Sequence, residues 1–288
     1  MKVIHLNLSN RESNLLEAKP CVMALGFFDG VHLGHQEVIK TAKAAADKRN
    51  LPLAAMSFFP HPKEVLSKGK KEFSYLMPLD EKQKKLEQLG VEIFYLVHFD
   101  KEFAALSPNQ FVKNYLLDFE AKLVVAGFDF TYGRNGEGHM DRMVGDSNGI
   151  LNVIKVGKID FKGEKISSTM IRNLVCSGKV DEIPNFLGEV YQIEGTLAYK
   201  QKHVHIKASP YYLLPSSGIY EVGLVNGSEY WKQEVIVRND QITFMLPERG
   251  LVPFIHSETI RIHWLTRLPS QSQQPFNPSK YLENLVFS

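Results

Sequence analysis

Through residue 160 the chain alternates short apolar runs with amphipathic stretches. The runs are Cys21–Leu25, Leu53–Phe58, Ile93–Phe99, Leu123–Gly127 and Leu151–Val156. Each is short and rich in Val, Ile, Leu or Phe, the pattern of a strand buried on both faces. Between them, Gln36–Lys48 puts Val38, Ile39, Ala42 and Ala45 on one helical face and closes in Lys48, Arg49 and Asn50. Ser107–Pro108 predicts a capped helix to about Leu117, with proline in its first turn. Strand–helix alternation of this kind predicts an α/β domain: a Rossmann-like parallel sheet covered by helices.

The pattern changes near Pro184–Glu189. Just before it, Ser167–Ser168 predicts the cap of a helix running to Cys176 and stopped by Gly178. Beyond it, Tyr191–Leu197, Gly218–Val225, Trp231–Arg238, Gln241–Leu246 and Glu258–Leu265 read as strands. Asn226–Gly227 and Asn239–Asp240 serve as turns between them. The expectation is a small antiparallel β-barrel, with domains at 1–186 and 187–288. The stretch from Pro269 to Pro278, rich in Ser, Gln and Pro, predicts a loose connection.

Composition narrows the class only modestly. A net charge of +2, with 44% hydrophobic and 23% charged residues, gives no pull toward nucleic acid or membrane. The two cysteines, Cys21 and Cys176, form neither a disulfide framework nor a zinc site. No apolar run approaches a bilayer span, and Met1–Asn10 has no secretory pattern, so a cytoplasmic chain is expected. Homo-oligomerisation stays open.

Candidate chemistry concentrates in two places. Gly26-Phe27-Phe28-Asp29-Gly30-Val31-His32-Leu33-Gly34-His35 follows the first buried run and opens a helix. A helix N-terminus attracts anions, and glycines let a phosphate approach the backbone closely. His32 and His35 could donate to phosphate oxygens as charge builds during phosphoryl transfer; they could also be ordinary loop histidines. Zinc is the weaker alternative, since two ligands are half a site. The second place is Ile166-Ser167-Ser168-Thr169-Met170-Ile171-Arg172. There hydroxyls sit at a helix start, and Arg172 shares a face with Ser168; the plain alternative is a serine cap with a surface arginine. The first turn lacks G-x-G-x-x-G, and the chain has no Walker lysine loop.

These segments resemble the nucleotidylyltransferase superfamily, with its H-x-G-H and later S-x-T-x-I-R motifs. Together with Phe58-Phe59-Pro60-His61-Pro62 and Ala126-Gly127-Phe128-Asp129-Phe130-Thr131-Tyr132-Gly133, they resemble the bacterial FAD synthetases over roughly residues 20–190. The resemblance implies transfer of AMP from ATP to FMN, giving FAD and pyrophosphate. It implies catalytic roles for His32, His35 and Arg172. It implies ATP contacts at Gly26, Phe27, Phe28, Gly34, Ser167, Ser168 and Thr169. The flavin side would be Phe59, Pro60, His61, Pro62, Asp129 and Phe130. Read from the residues alone, Phe-Pro-His-Pro is a rigid turn or simply a strand terminator. Mg²⁺ is expected to bridge the ATP phosphates, with Asp129 the candidate protein ligand.

In many such proteins the second half is a riboflavin kinase barrel, whose hallmark is a Gly-Arg-x-Leu-Gly-x-Pro-Thr-Ala-Asn stretch. The matching region, Gly195 to Pro210, lacks the Pro-Thr-Ala-Asn element, while Gly218-Ile219-Tyr220-Glu221-Val222 keeps the following segment. The implied barrel is kinase-like without kinase chemistry. His203 and His205 alternate along a strand and share one face, read as solvated, with a ligand role as the alternative. A bifunctional enzyme, a flavin-responsive regulatory protein and a transferase for another phosphate acceptor are the alternatives.

Overall fold

The computed structural model describes residues 1–66, 73–200, 202–209, 211–246 and 259–269. Six strands form a wholly parallel sheet: β1 (Lys2–Leu6), β2 (Cys21–Leu25), β3 (Leu53–Phe59), β4 (Ile93–His98), β5 (Ala121–Gly127) and β6 (Asn152–Val156). Their spatial order is β1-β4-β3-β2-β5-β6. Strand β2 shows why its run is apolar throughout. Cys21, Met23 and Leu25 enter the core on one face, and Val22 and Ala24 enter the core on the other.

Helix α1 (Leu33–Arg49) covers one face with Val38, Ile39, Ala42, Ala45 and Ala46. Asn50 ends it in the left-handed region, φ 52°. Helix α2 (Leu79–Gln88) buries Leu86 but also Glu81 and Lys82. Ser107 caps its helix as expected, in a reciprocal pair with Gln110 that the sequence pattern did not name, but the helix that follows is α only over Pro108–Phe111 and π over Val112–Leu117. Helix α3 (Ser168–Ser177) begins where the serines predict, with the Met170 N–H donating to Ser167 Oγ at 3.2 Å.

The sequence pattern misses β1. It pairs with β4 alone, at the sheet edge, and its residues alternate between exposed and buried. Nothing in Met1–Asn10 resembles the two-faced runs beside it.

The second half closes into a six-stranded antiparallel barrel: β7 (Gln192–Lys200), β8 (His203–Ala208), β9 (Gly218–Asn226), β10 (Glu229–Arg238), β11 (Gln241–Met245) and β12 (Thr259–Leu268). Asn239 and Asp240 both have positive φ, 50° and 58°, which a tight two-residue hairpin requires. Strand β8 is additional to the runs read from hydropathy. Val204 and Ile206 point into the barrel, while His203 is exposed and His205 half-buried. Glu258 and the Pro269–Pro278 connection beyond Pro269 lie outside the described residues.

By compactness the chain divides into Met1–Ile171 with Phe186–Gly188, and Arg172–Asn185 with the described residues from Glu189 onward. That division falls inside α3 rather than at 186. Among the described residues no helix is long and apolar enough to cross a membrane. Cys21 is buried, and burial pushes its thiol up to about 12; Cys176, near the end of α3, is exposed.

Both tryptophans, Trp231 and Trp264, belong to the barrel. Trp264 is fully buried and meets Tyr220 edge-on at 5.3 Å. Trp264→Ala should cost about 3–5 kcal/mol of barrel stability. The urea midpoint followed by Trp231 fluorescence should fall by roughly 1–3 M. A midpoint within a few tenths of the parent's would show that the ring is not a keystone of this core.

Candidate active site

The sheet order reverses direction between β2 and β5, the place where open parallel sheets bind ligands. A cavity of about 710 Å³ opens there, at the carboxyl ends of the strands. The turn after β2 forms one wall, the segment after β5 a second, and the start of α3 a third.

The turn from Gly26 to His32 is unusual backbone. Phe28, Gly30 and Val31 all have positive φ, 53°, 75° and 40°. A β-branched residue there is strained, at roughly 1–3 kcal/mol. Several contacts hold the turn in place. The Phe27 carbonyl accepts from Ser57 Oγ at 2.8 Å and from Lys82 Nζ at 2.9 Å. The Asp29 carbonyl accepts from Ser168 Oγ at 3.0 Å, which ties α3 to the turn. Gln36 Nε2 donates to the Val31 carbonyl at 3.0 Å. Gly26 is required by the buried Phe28 ring, since a Cβ at 26 would lie 2.7 Å from it.

His32 caps α1: its Nδ1 accepts from the His35 N–H at 3.2 Å. In the neutral ring the proton therefore sits on Nε2. His35 stacks on His32 with centroids 3.6 Å apart and meets Phe28 edge-on at 5.4 Å. Burial holds His32 down at about 4, opposed by Asp129. Burial, then His32 and Lys82, hold His35 well below its ordinary value. His35 Nδ1 is buried and has no hydrogen-bond partner. The pair thus presents neutral N–H donors rather than imidazolium ions.

On the β3 side, His61 packs against the Phe27 ring at 4.3 Å and stacks on Phe73 at 3.8 Å. Its backbone N–H donates to Tyr75 Oη at 3.0 Å. On the β5 side, Asp129 pairs with Lys165, whose ammonium also lies 4.8 Å from the centre of the Phe128 ring. Phe58, Phe99, Phe103, Phe111, Phe130 and Tyr132 give the cavity an aromatic flank.

Of the residues picked out by sequence, Gly26, Phe27, Phe28, His32, Gly34, His35, His61, Pro62, Asp129, Phe130, Ser167, Ser168 and Thr169 line this one cavity. Phe59, Pro60 and Arg172 are not among its lining residues. Phe59 packs behind the wall, 5.7 Å from Tyr75, and the Phe59–Pro60 peptide is cis. Arg172 sits one turn along α3 from Ser168. Lys165, Ser57 and Lys82 are site neighbours that the motifs do not flag. Among the described residues no group of three His, Cys, Asp or Glu side chains could hold a metal ion, and Asp129 is the one acidic side chain lining the cavity.

The family model described as FAD synthetase matches residues 15–170. A bifunctional riboflavin kinase/FMN adenylyltransferase from Bacillus subtilis is 37% identical over 99% of this chain and 95% of its own length. An FAD synthetase from Listeria monocytogenes is 30% identical over 78% of this chain and 89% of its own length. Among solved structures, one described as a macrolide-efflux protein from Streptococcus pneumoniae superposes with a TM-score of 0.83 at 26% identity, covering 97% of this chain and 95% of that one. The match to the family model, reinforced by a relative aligned along nearly the whole chain, shows that the chain belongs to the FAD synthetase family.

Proposed function

We propose that the chain transfers AMP from ATP to FMN, releasing pyrophosphate and forming FAD, and that it does not phosphorylate riboflavin. The carrying observation is the convergence of His32, His35 and the Ser167–Thr169 helix start on one cavity with an aromatic flank. An oxygen of the FMN phosphate attacks the α-phosphorus of ATP in line. A new P–O bond forms as the bond to the bridging oxygen breaks, and pyrophosphate leaves with the electron pair. This step asks for position and charge stabilisation rather than for a protein base.

In this reading the neutral His32 Nε2–H and the ring of His35 donate to the phosphates. The hydroxyls of Ser167, Ser168 and Thr169, with Arg172, hold the leaving pyrophosphate. His61, Pro62 and Phe130 bound the flavin side, with Phe59 and Pro60 shaping the turn behind them; Phe27, which the resemblance assigns to ATP, joins the flavin side in this reading because its ring packs against His61 at 4.3 Å. Mg²⁺ enters with ATP as part of the substrate and neutralises phosphate charge. Asp129, once released from Lys165, is the carboxylate suited to it.

The loss of kinase chemistry is supported by the region Gly195–Ala208. It is a hairpin in continuous register, from Gly195 opposite Ala208 to Lys200 opposite His203. Its backbone groups are committed to the strand ladder, and no Pro-Thr-Ala-Asn turn interrupts it. The bifunctional reading has its own support, since the Bacillus subtilis relative bearing both activities in its name aligns through the barrel.

Pure protein incubated with Mg–ATP and either FMN or riboflavin separates these readings when the flavins are resolved by chromatography. FAD from FMN and no FMN from riboflavin is expected. No FAD from folded protein would end the transferase proposal, and protein-dependent FMN would restore the bifunctional one. His35→Ala should lower kcat by about 10²-fold in a chain whose circular dichroism spectrum stays native-like; near-parental turnover would remove His35 from the phosphates. Stability should also depend on pH. His32 is held at about 4 when folded against an ordinary 6.5, so between these values the unfolded chain binds more protons. Its contribution is full above 6.5 and is lost as pH falls through about 4. Urea midpoints at several pH values should show this slope, and His32→Asn should flatten it.

A further inference from the structure

Lys82 is the one buried lysine or arginine among the described residues, with 2% of its surface exposed, yet it does not line the cavity. Its Nζ donates to the Phe27 carbonyl at 2.9 Å and lies 3.5 Å from Ser57 Oγ. The same ammonium sits 4.8 Å from the centre of the Phe27 ring. One residue is thus gripped twice, by its carbonyl and by its ring. Burying an ammonium with neutral acceptors is costly, and an apolar side chain of similar volume would serve packing better. What the charge does here is fix Phe27, whose ring packs edge-on against His61 and lines the cavity.

We infer that Lys82 is a positioning residue for the flavin end of the reaction, acting through Phe27 to set the wall against which the FMN ring docks. This rests on the FMN-adenylylation reading. Its surroundings make the grip sensitive to charge. Asp29, in the turn, is the counter-charge; His35 faces it from α1; Glu81 and Lys85 are on its own helix. Burial outweighs Asp29 and brings the amine down to about 8. Above that pH the cation over the ring is lost and donation to the carbonyl weakens.

The test uses the full chain, with Mg–ATP saturating when FMN is varied and FMN saturating when Mg–ATP is varied. Lys82→Met should raise KM for FMN by about 10-fold, leave KM for ATP within about 2-fold, and weaken FMN binding by flavin-fluorescence titration to the same extent. In the parent, KM for FMN should rise as pH passes through about 8, and this limb should be missing from Lys82→Met. A folded Lys82→Met with both KM values unchanged, or with only kcat lowered, overturns the inference. If that variant does not fold, the parent's profile decides: a rise through pH 8 supports the inference, and a flat KM for FMN from pH 7 to 9.5 overturns it. A parent that makes no FAD at all fails the underlying reading instead, before any variant is compared.

Discussion

Everything at the cavity hangs from a turn that runs against its own backbone preference. Phe28, Gly30 and Val31 all lie in the left-handed region, and only one of them is glycine. Such a path persists only when its surroundings over-determine it. Here the hydroxyl of Ser57, the ammonium of Lys82, the hydroxyl of Ser168 and the amide of Gln36 clamp the carbonyls of Phe27, Asp29 and Val31. The reward is geometric: His32 emerges at the N-cap of α1, with its ring already fixed by the His35 N–H and stacked on the His35 ring. The helix start and two imidazoles then meet at the same cavity.

The fold was legible where burial is two-sided. The runs that became β2 to β5 are apolar because cores lie on both sides of the sheet, and few arrangements other than a covered parallel sheet bury such short runs so completely. Strand β1 escaped because an edge strand pairs on one side and is part-exposed, so only Ile4, His5 and Leu6 show a faint alternation. The switch from α to π within Pro108–Leu117 was equally silent, since the two helices bury nearly the same kinds of residue. In the barrel the turn chemistry carried the most information. Asn239–Asp240 announces its hairpin because few residue pairs tolerate two positive φ values.

The site was legible as motifs and illegible as supports. Phosphate chemistry needs glycines, imidazoles and hydroxyls at recognisable spacings, so the segments around His32 and Ser168 stood out. Phe59 and Pro60 belonged to the same motif yet sit behind the wall, because a turn must have an inner and an outer side and spacing alone does not say which. Ser57 lies in an otherwise apolar strand, and Lys82 in an otherwise polar helix. Their importance comes from a carbonyl 30 and 55 positions away, a relation that no local pattern encodes.

The two cysteines have a consequence of a different kind. A thiol pushed up to about 12 inside the sheet core is nearly all unreactive thiol at neutral pH, so Cys21 is closed to electrophilic probes while the fold holds. Cys176 is exposed on the helix that begins with Ser168. The unaltered chain therefore comes with a single native attachment point for a spin label or fluorophore, about two helical turns from the serine hydroxyls. The helix that carries the serine hydroxyls can be watched without first engineering a cysteine into it.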